Sequence, residues 1–544
     1  MRILALSFVV ATGAFAQQAS ITSIVGTVTD PNGAAIPNAS VQAVEDGTQQ
    51  AYSATTNVEG FFSVQFVRIG TYTVTATTPG FGTVVHKNVL VQVNQVVRTN
   101  FELPVGQVTE KITVVATAPP IATDEASISE VISQKAVAEI PLNGRDVLRE
   151  AALIPGVITG FKSRTGSTSS GGQDFIGAGA REVQNSISLD GVSIVSNLVS
   201  TTTLRPSVDA VAEFQVQTGT YSAQYGTWLG VHLNVVTKSG TNEFHGAAWE
   251  FLRNDALDAR NFFASPTARK PPFHQNQFGG QLAGPVIIPK LYNGRNKTFF
   301  LVDYDGQRQK QSQASLDTVF PVAFRTGNLS AITAPIRNPL AVGGTFANNV
   351  IPASLLSPQA QKALAYMPAP HLPGLTNNYQ AQAAVGNTSD QTLDRVDQNI
   401  ADKTRLFFRL AYQNTSLLQG SSNPINGIDV PLFDRNYAAG YTRTISAHAV
   451  NDLRFGYEKN QYQSVNFFTG SNPDAGSALA FPVSPPVRTT RGFPAFPSPA
   501  TRPSAARTWA AATGSGRAPP SNGPTCSTTR WARIASRRAV RSSA

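Results

Sequence analysis

Cysteine is nearly missing from this 544-residue chain, with Cys526 the single instance. That excludes a disulfide framework and any site built from paired thiolates. Histidine is sparse as well. His86, His232, His245, His274, His371 and His448 fall at no metal-ligand spacing, and neither H-E-x-x-H nor G-x-S-x-G occurs. Gly177-Ala178-Gly179-Ala180-Arg181 lacks the preceding strand and third glycine of a dinucleotide loop. No catalysis, metal or cofactor is expected. Charged residues make up only 14% of the chain, and no stretch beyond the N-terminus reaches the ~18 apolar residues of a membrane-crossing helix. What remains abundant is Gly, Thr, Ser, Asn and Gln, a composition that suits β-structure with many turns.

Acidic residues are missing from one whole segment. Residues 488–544 contain ten Arg and no Lys, Asp or Glu, in a chain with 43 basic and 33 acidic residues. Residues 1–487 therefore hold 33 of each, and the full net charge of +10 sits at the end. Ten Arg could neutralise phosphates, but this tail has no helical face and no aromatic–basic periodicity. The other end of the chain argues against nucleic acid too. MRILALSFVVATGAFAQQ joins Arg2, an apolar run at 3–11 and Ala14-Phe15-Ala16, the three parts of a secretory signal peptide (1–16), with cleavage expected between Ala16 and Gln17. An exported chain meets no nucleic acid. The tail is expected to be disordered, and its Arg, Pro, Ser and Ala are what a GC-rich gene gives when read out of frame.

Residues 22–105 read as a small β-sandwich. FFSVQF and TYTVTAT alternate apolar and polar positions, and DPNG (30–33) and NVEG (57–60) supply the turns. Phe61, Phe66 and Tyr72 are expected in its core; exposed aromatics would instead suggest a carbohydrate-binding module. The run GTVTDPNGAAIPNASVQA with TTNVEGFFSVQFVRIGTYTVTATTPGF resembles the carboxypeptidase regulatory-like domain, a transthyretin-like sandwich without catalytic residues. The resemblance implies that Asp30 and Gly33, and Asn57 and Gly60, set the hairpin registers.

A linker follows at 106–125, and Pro119-Pro120 stops structure on its far side. Within it Lys111, Ile112, Thr113, Val114, Val115, Ala116 and Thr117 form a short β-prone segment able to join a partner's sheet edge through main-chain hydrogen bonds. Any edge strand could read this way, but the segment also resembles the TonB box, the stretch gripped by the energy-transducing periplasmic protein. Residues 126–240 begin with ISEVISQKAVAEI, expected to be a helix, and continue through PLNGRDVLREAALIPGV, REVQNSISLDGVSI and VDAVAEFQVQTGTYSAQYGTWLGVHLNVVTKSGTN. This succession resembles the plug domain of TonB-dependent receptors, in particular the Oar-like subgroup that carries the same regulatory-like domain in front. The resemblance implies that Asp190-Gly191-Val192 marks a plug strand and turn. Arg181, Asp190 and Glu213 are expected to serve an internal salt-bridge network of the plug rather than a ligand.

From 241 the pattern is that of a membrane barrel. Leu406, Phe408, Leu410 and Tyr412 share one face, while Arg405, Arg409 and Gln413 share the other. Leu453, Phe455 and Tyr457 alternate with Asp452, Arg454 and Glu458 in the same way. In a lipid-spanning barrel the apolar face points outward and the polar face lines a hydrated lumen. Strands are expected at 243–252, 276–286, 297–306, 391–399, 404–413, 435–444 and 449–460. Tight turns at 401–403 and 446–448 contrast with a long connection at 307–390, as short periplasmic turns contrast with long external loops.

The expected fold class is thus all-β dominated. It comprises a transthyretin-like sandwich, an α+β plug, the first part of a transmembrane antiparallel barrel (241–487) and a disordered tail (488–544). Receptors of this kind imply a barrel of ~22 strands sealed by its plug. The resemblance further implies an outer-membrane location with plug and sandwich on the periplasmic side. Its partners would be a TonB-type protein, membrane lipid, the barrel assembly machinery and an external ligand, often a large glycan or peptide in this subgroup. Seven strands would leave the barrel truncated and the chain, as written, inactive. A surface adhesion or export-assisting protein that imports nothing is the alternative.

Overall fold

The structure, a computed structural model, describes residues 22–466 and the strands 525–531 and 535–540. Within the first range it leaves out 107–110, 116–126, 141–144, 160–174, 197–199, 220, 222–225, 227, 261, 263–269, 402, 422–426 and 447–448. Ala16, Gln17, Ala116, Thr117 and parts of both expected tight turns lie outside the described residues.

The N-terminal part is a two-sheet sandwich. Ser23–Thr29 lies between Phe61–Gln65 and Val96–Arg98, with Phe101–Glu102 pairing alongside. The second sheet runs Ala51–Thr55, Ser40–Glu45, Gly70–Thr77, Thr83–Val91, Lys111–Val115. Its turns follow from side-chain chemistry. Asp30 Oδ1 accepts the Asn32 and Ala34 amides at 2.9 and 2.8 Å, and Asn57 Oδ1 accepts those of Glu59 and Phe61 at 3.1 and 2.8 Å. These are Asx turns, in which a short polar side chain replaces a backbone acceptor. Gly60 adopts φ 71°, and a Cβ there would meet the Val28 carbonyl at 2.6 Å, so glycine is required. Tyr72 and Phe62 fill the core with Val74, Phe101 and Leu103. Phe61 and Phe66 are only half-buried, which corrects the expectation by one position. The inward face of Phe61–Gln65 is Phe62 and Val64, because the Asx turn consumes Phe61's amide and sets the parity of the strand.

The plug sheet runs Ile128–Ile132, Val211–Gly219, His232–Thr237, Ser186–Leu189, Val192–Ser193. The helix expected over ISEVISQKAVAEI is shorter than that: Ile128–Ile132 is a strand paired with Val211–Gly219, and only Gln134–Glu139 is helical. Ile128, Val131 and Ile132 are β-branched and gain a ladder on the neighbouring strand. Ser133, which caps Ala136, then starts the helix.

All seven expected barrel strands are present as a sequential antiparallel meander: His245–Asn254, Phe273–Pro285, Thr298–Asp317, Tyr379–Ala401, Thr404–Gln419, Ile428–Ser446 and Ala449–Gln463. The central ones are far longer than expected, so the long connection shrinks to 318–378. Main-chain pairing continues through QRQKQSQAS and QAQAAVGNTSD, where no apolar alternation advertises a strand. Leu406, Phe408, Leu410 and Tyr412 alternate with buried Arg405, Arg409, Ala411 and Gln413. Tyr412, Tyr437 and Tyr457 form a ladder across neighbouring strands with ring centroids 5.7 and 5.6 Å apart, and Arg435 lies 4.9 Å over the first ring. From Thr404 to Tyr412 the strand climbs about 20 Å at ~3.3 Å per residue and ~40° tilt, close to the ~25 Å apolar band of such barrels. Beyond the tyrosines the strands continue into the connection 318–378, whose neck is closed by the fully buried Asn378: its side-chain amide bonds both main-chain groups of Val319, at 2.8 and 2.9 Å.

Among the described residues the sheet does not close on itself. Thr525–Trp531 and Ala535–Val540 pair with its last long strand, Ala449–Gln463, in a stretch where the sequence reading expects no strand. An uncovered sheet edge recruits a segment through main-chain groups, whatever its composition.

Candidate functional site at the junction of plug, barrel wall and sandwich

Asp190 and Gly191 join Ser186–Leu189 to Val192–Ser193, and both take positive φ, 49° and 83°, the twist a two-residue hairpin demands. The turn presents the Asp190 carboxylate to two elements. Within the plug it accepts the Thr237 amide at 3.0 Å and the Thr237 hydroxyl at 2.9 Å. From the barrel wall Arg395 Nη1 donates to its Oδ1 at 3.1 Å, and Arg409 Nε lies 3.0 Å from its Oδ2. Arg395 also grips Asp397 through Nε and Nη2 at 2.8 and 3.0 Å. Asp397 in turn receives Arg68 of the sandwich at 2.9 Å and Ser239 of the plug's exit strand at 2.7 Å. Arg409 Nη2 donates to Asn436 at 2.6 Å, and Asn436 passes the contact back to the Ser193 carbonyl at 3.1 Å.

Arg409 and Asp397 are both fully buried. The sequence reading assigned Arg409 to a hydrated lumen; instead the plug fills the lumen there and Asp190 supplies the counter-charge. Leaving either partner of such a pair alone costs about 3–5 kcal/mol, so the cluster opposes any plug position that separates these charges, in addition to the plug's apolar contacts. Those contacts are nonetheless continuous: the plug core of Phe175, Ile187, Leu189, Phe214 and Leu233 extends to Ala283, Leu301, Leu393 and Ala411 on the barrel's inner face.

The sandwich attaches differently. Its core contains no plug or barrel residue, and a cavity of about 730 Å³ lies at the three-way junction, bordered by Arg68, Glu213, Lys238, Arg395 and Arg405. Discrete polar contacts bridge it. Arg405 of the barrel bonds the Tyr52 hydroxyl, sits 4.5 Å over that ring, and reaches the Phe66 carbonyl at 2.7 Å. Glu213 of the plug accepts the Val93 amide, and Gln215 accepts the Asn94 side chain at 2.8 Å. Burial pushes the Glu213 carboxyl up to about 7 although the Val93 amide favours its anion.

The residues singled out in the sequence are thus dispersed. Asp190 and Gly191 form the central turn, but Asp190 pairs across to the barrel and not within the plug. Glu213 belongs to the sandwich contact and, among the described residues, to no ion pair. Arg181 is exposed beside the short turn Glu182–Gln184. Lys111–Val115 is a strand, parallel to Thr83–Val91 on the sandwich edge. Sequence reasoning missed Arg68, Arg395 and Asp397. The signal for Arg395 and Asp397 was present in LDRVDQ, where charged residues take two successive inward positions of one strand. Among the described residues no group of three or more His, Cys, Asp or Glu could hold a metal ion.

Two family models match. The outer membrane beta barrel domain covers residues 236–525, running past 487, and the carboxypeptidase regulatory-like domain covers 23–104. The chain is 23% identical over 299 residues to the TonB-dependent transporter Oar of Myxococcus xanthus, a match that takes in 53% of this chain and 27% of that protein. It therefore spans about a quarter of the length of this curated relative. Solved structures with similarity include the outer membrane transporter YddB of Escherichia coli (13% identity, TM-score 0.40, 62% of this chain and 39% of that one). The siderophore receptor PirA of Acinetobacter baumannii is another (16%, 0.37, 62% and 41%).

Proposed function

The chain belongs to the outer-membrane β-barrel family, with a carboxypeptidase regulatory-like domain in front, and on that premise we propose that it is a TonB-dependent importer of an external ligand. The observation that carries this reading is the plug seated on the barrel's inner face through Asp190, Arg395 and Arg409. A pore sealed in this way needs work to open it, and the outer membrane supplies none of its own. The segment at 111–117 is the point where that work is applied. A TonB-type periplasmic protein adds it to its own sheet by main-chain pairing, and tension then reaches the plug through Ile128–Ile132. Ligand is captured by the connections above the tyrosine ladder, with 318–378 the largest, and a large glycan or peptide is the class that fits so extended an external rim.

The test is binding of a purified TonB-type periplasmic domain to the full chain and to its V114P/V115P variant. Proline removes the amide donors and fixes φ, so the variant is expected to lose binding. Equal binding by both chains would sink the importer reading and favour a surface protein that imports nothing.

A further inference from the structure

The segment proposed to engage the TonB-type partner is already paired. Lys111–Val115 lies parallel to Thr83–Val91 in unbroken register from Thr83↔Lys111 to Lys87↔Val115, as the fifth and outermost strand of the sandwich's second sheet. The chain is led there by its own turns. Gly82 donates to the Pro104 carbonyl at 2.8 Å, and Phe81 bridges Val105. The backbone leaving the sandwich is therefore pinned at the head of Thr83–Val91, and Lys111 meets Thr83. We infer that the regulatory-like sandwich is the resting dock of the coupling segment: its Thr83–Val91 edge holds 111–115 by intramolecular strand addition, and the periplasmic partner must displace it.

The inference rests on the importer reading for the identity of the partner, but the docking stands on geometry alone. An edge strand with unpaired main-chain groups is satisfied by one neighbour at a time, so sandwich and partner compete for the same donors and acceptors. The dock is also tied to the plug. Thr83–Val91 runs directly into Val93 and Asn94, which Glu213 and Gln215 hold from the plug strand Val211–Gly219. That same strand pairs with Ile128–Ile132, where the coupling segment re-enters the plug. A shift of the plug is thus transmitted to the dock, and the domain acquires a task as a gate on coupling. The apparent affinity of the partner is lowered by the fraction of chains whose segment is free.

A disulfide staple tests this. Val85 and Thr113 are register partners in mid-ladder, so V85C/T113C in a Cys526→Ser background of the full chain should oxidise readily. T83C/K111C serves as a second staple should the first disturb folding. Two readouts are taken: staple yield, and binding of a purified TonB-type periplasmic domain with and without reductant. Near-complete oxidation, with binding weakened about tenfold or more and restored by reductant, is the expected result. Failure of both staples to form in folded chain would overturn the docking. Formation of a staple with undiminished binding would overturn the competition. Absence of binding by the reduced and parent chains alike would overturn the importer reading instead, while the staple yield would still decide the docking.

Discussion

Replacing Asp190 by Asn separates its two roles. At φ 49° a non-glycine residue is tolerated best when it is Asn, and Asn-Gly is the favoured pair for such a hairpin turn. The substitution therefore keeps or improves the backbone while deleting the charge that faces Arg395 and Arg409. Arg395 retains Asp397 at 2.8 Å. Among the described residues Arg409, at 0% exposure, then retains only the neutral acceptors Asn436 and Leu189. One uncompensated buried guanidinium costs about 3–5 kcal/mol, which loosens the plug by roughly a hundredfold or more at ~1.4 kcal/mol per factor of ten. Hydrogen exchange of the amides in His232–Thr237 reads this directly, because that strand carries Asp190's other partner, Thr237. The double variant D190N/R409M removes the stranded charge and should recover most of the protection. If D190N exchanges no faster than the parent, or if R409M fails to rescue it, the electrostatic account of plug seating is wrong and the shared apolar core alone holds the domain.

Glu213 gives a pH signature. Burial raises its carboxyl from 4.5 to about 7, so the folded junction holds a proton that the separated parts release. The sandwich–plug contact is then strongest below pH ~4.5 and weakens as pH rises through ~7, by up to about 3 kcal/mol. E213Q, which keeps the acceptor and cannot ionise, should flatten the pH dependence of Val93 amide exchange; an unchanged slope would assign the effect elsewhere. G60A places a Cβ 2.6 Å from the Val28 carbonyl at φ 71° and should lower the sandwich's thermal midpoint at a cost of about 1–3 kcal/mol, with the barrel unaffected. R405M cuts the contacts to Tyr52 and Phe66, so limited proteolysis between sandwich and plug should accelerate while the plug stays protected.

What the sequence disclosed, and what it withheld, follows from where periodicity is enforced. Lipid on one side and plug on the other force alternation at 404–413 and 449–460, and these strands are legible down to Leu406 against Arg405. Beyond Tyr412 the strands run on without apolar alternation, and QRQKQSQAS carries no period although its amides pair as regularly as any. The Asx turns at Asp30 and Asn57 were readable because a single side chain dictates them, whereas the parity of the next strand, Phe62 inward and Phe61 out, depends on which amide the turn consumes. The junction was the least legible part. Asp190 and Arg395 are 205 positions apart, and nothing local in SLDGVS distinguishes a carboxylate paired within the plug from one paired across to the barrel. Yet Arg395, Asp397, Arg405 and Arg409 all sit on the inward parity of adjacent strands. Buried as they are, these charges need partners, and Asp190, Arg68 and Asn436 supply them. Inward parity combined with charge is equally the pattern of a hydrated lumen, and it is the burial of Arg409 and Asp397 that distinguishes a wall covered by a plug from one facing water.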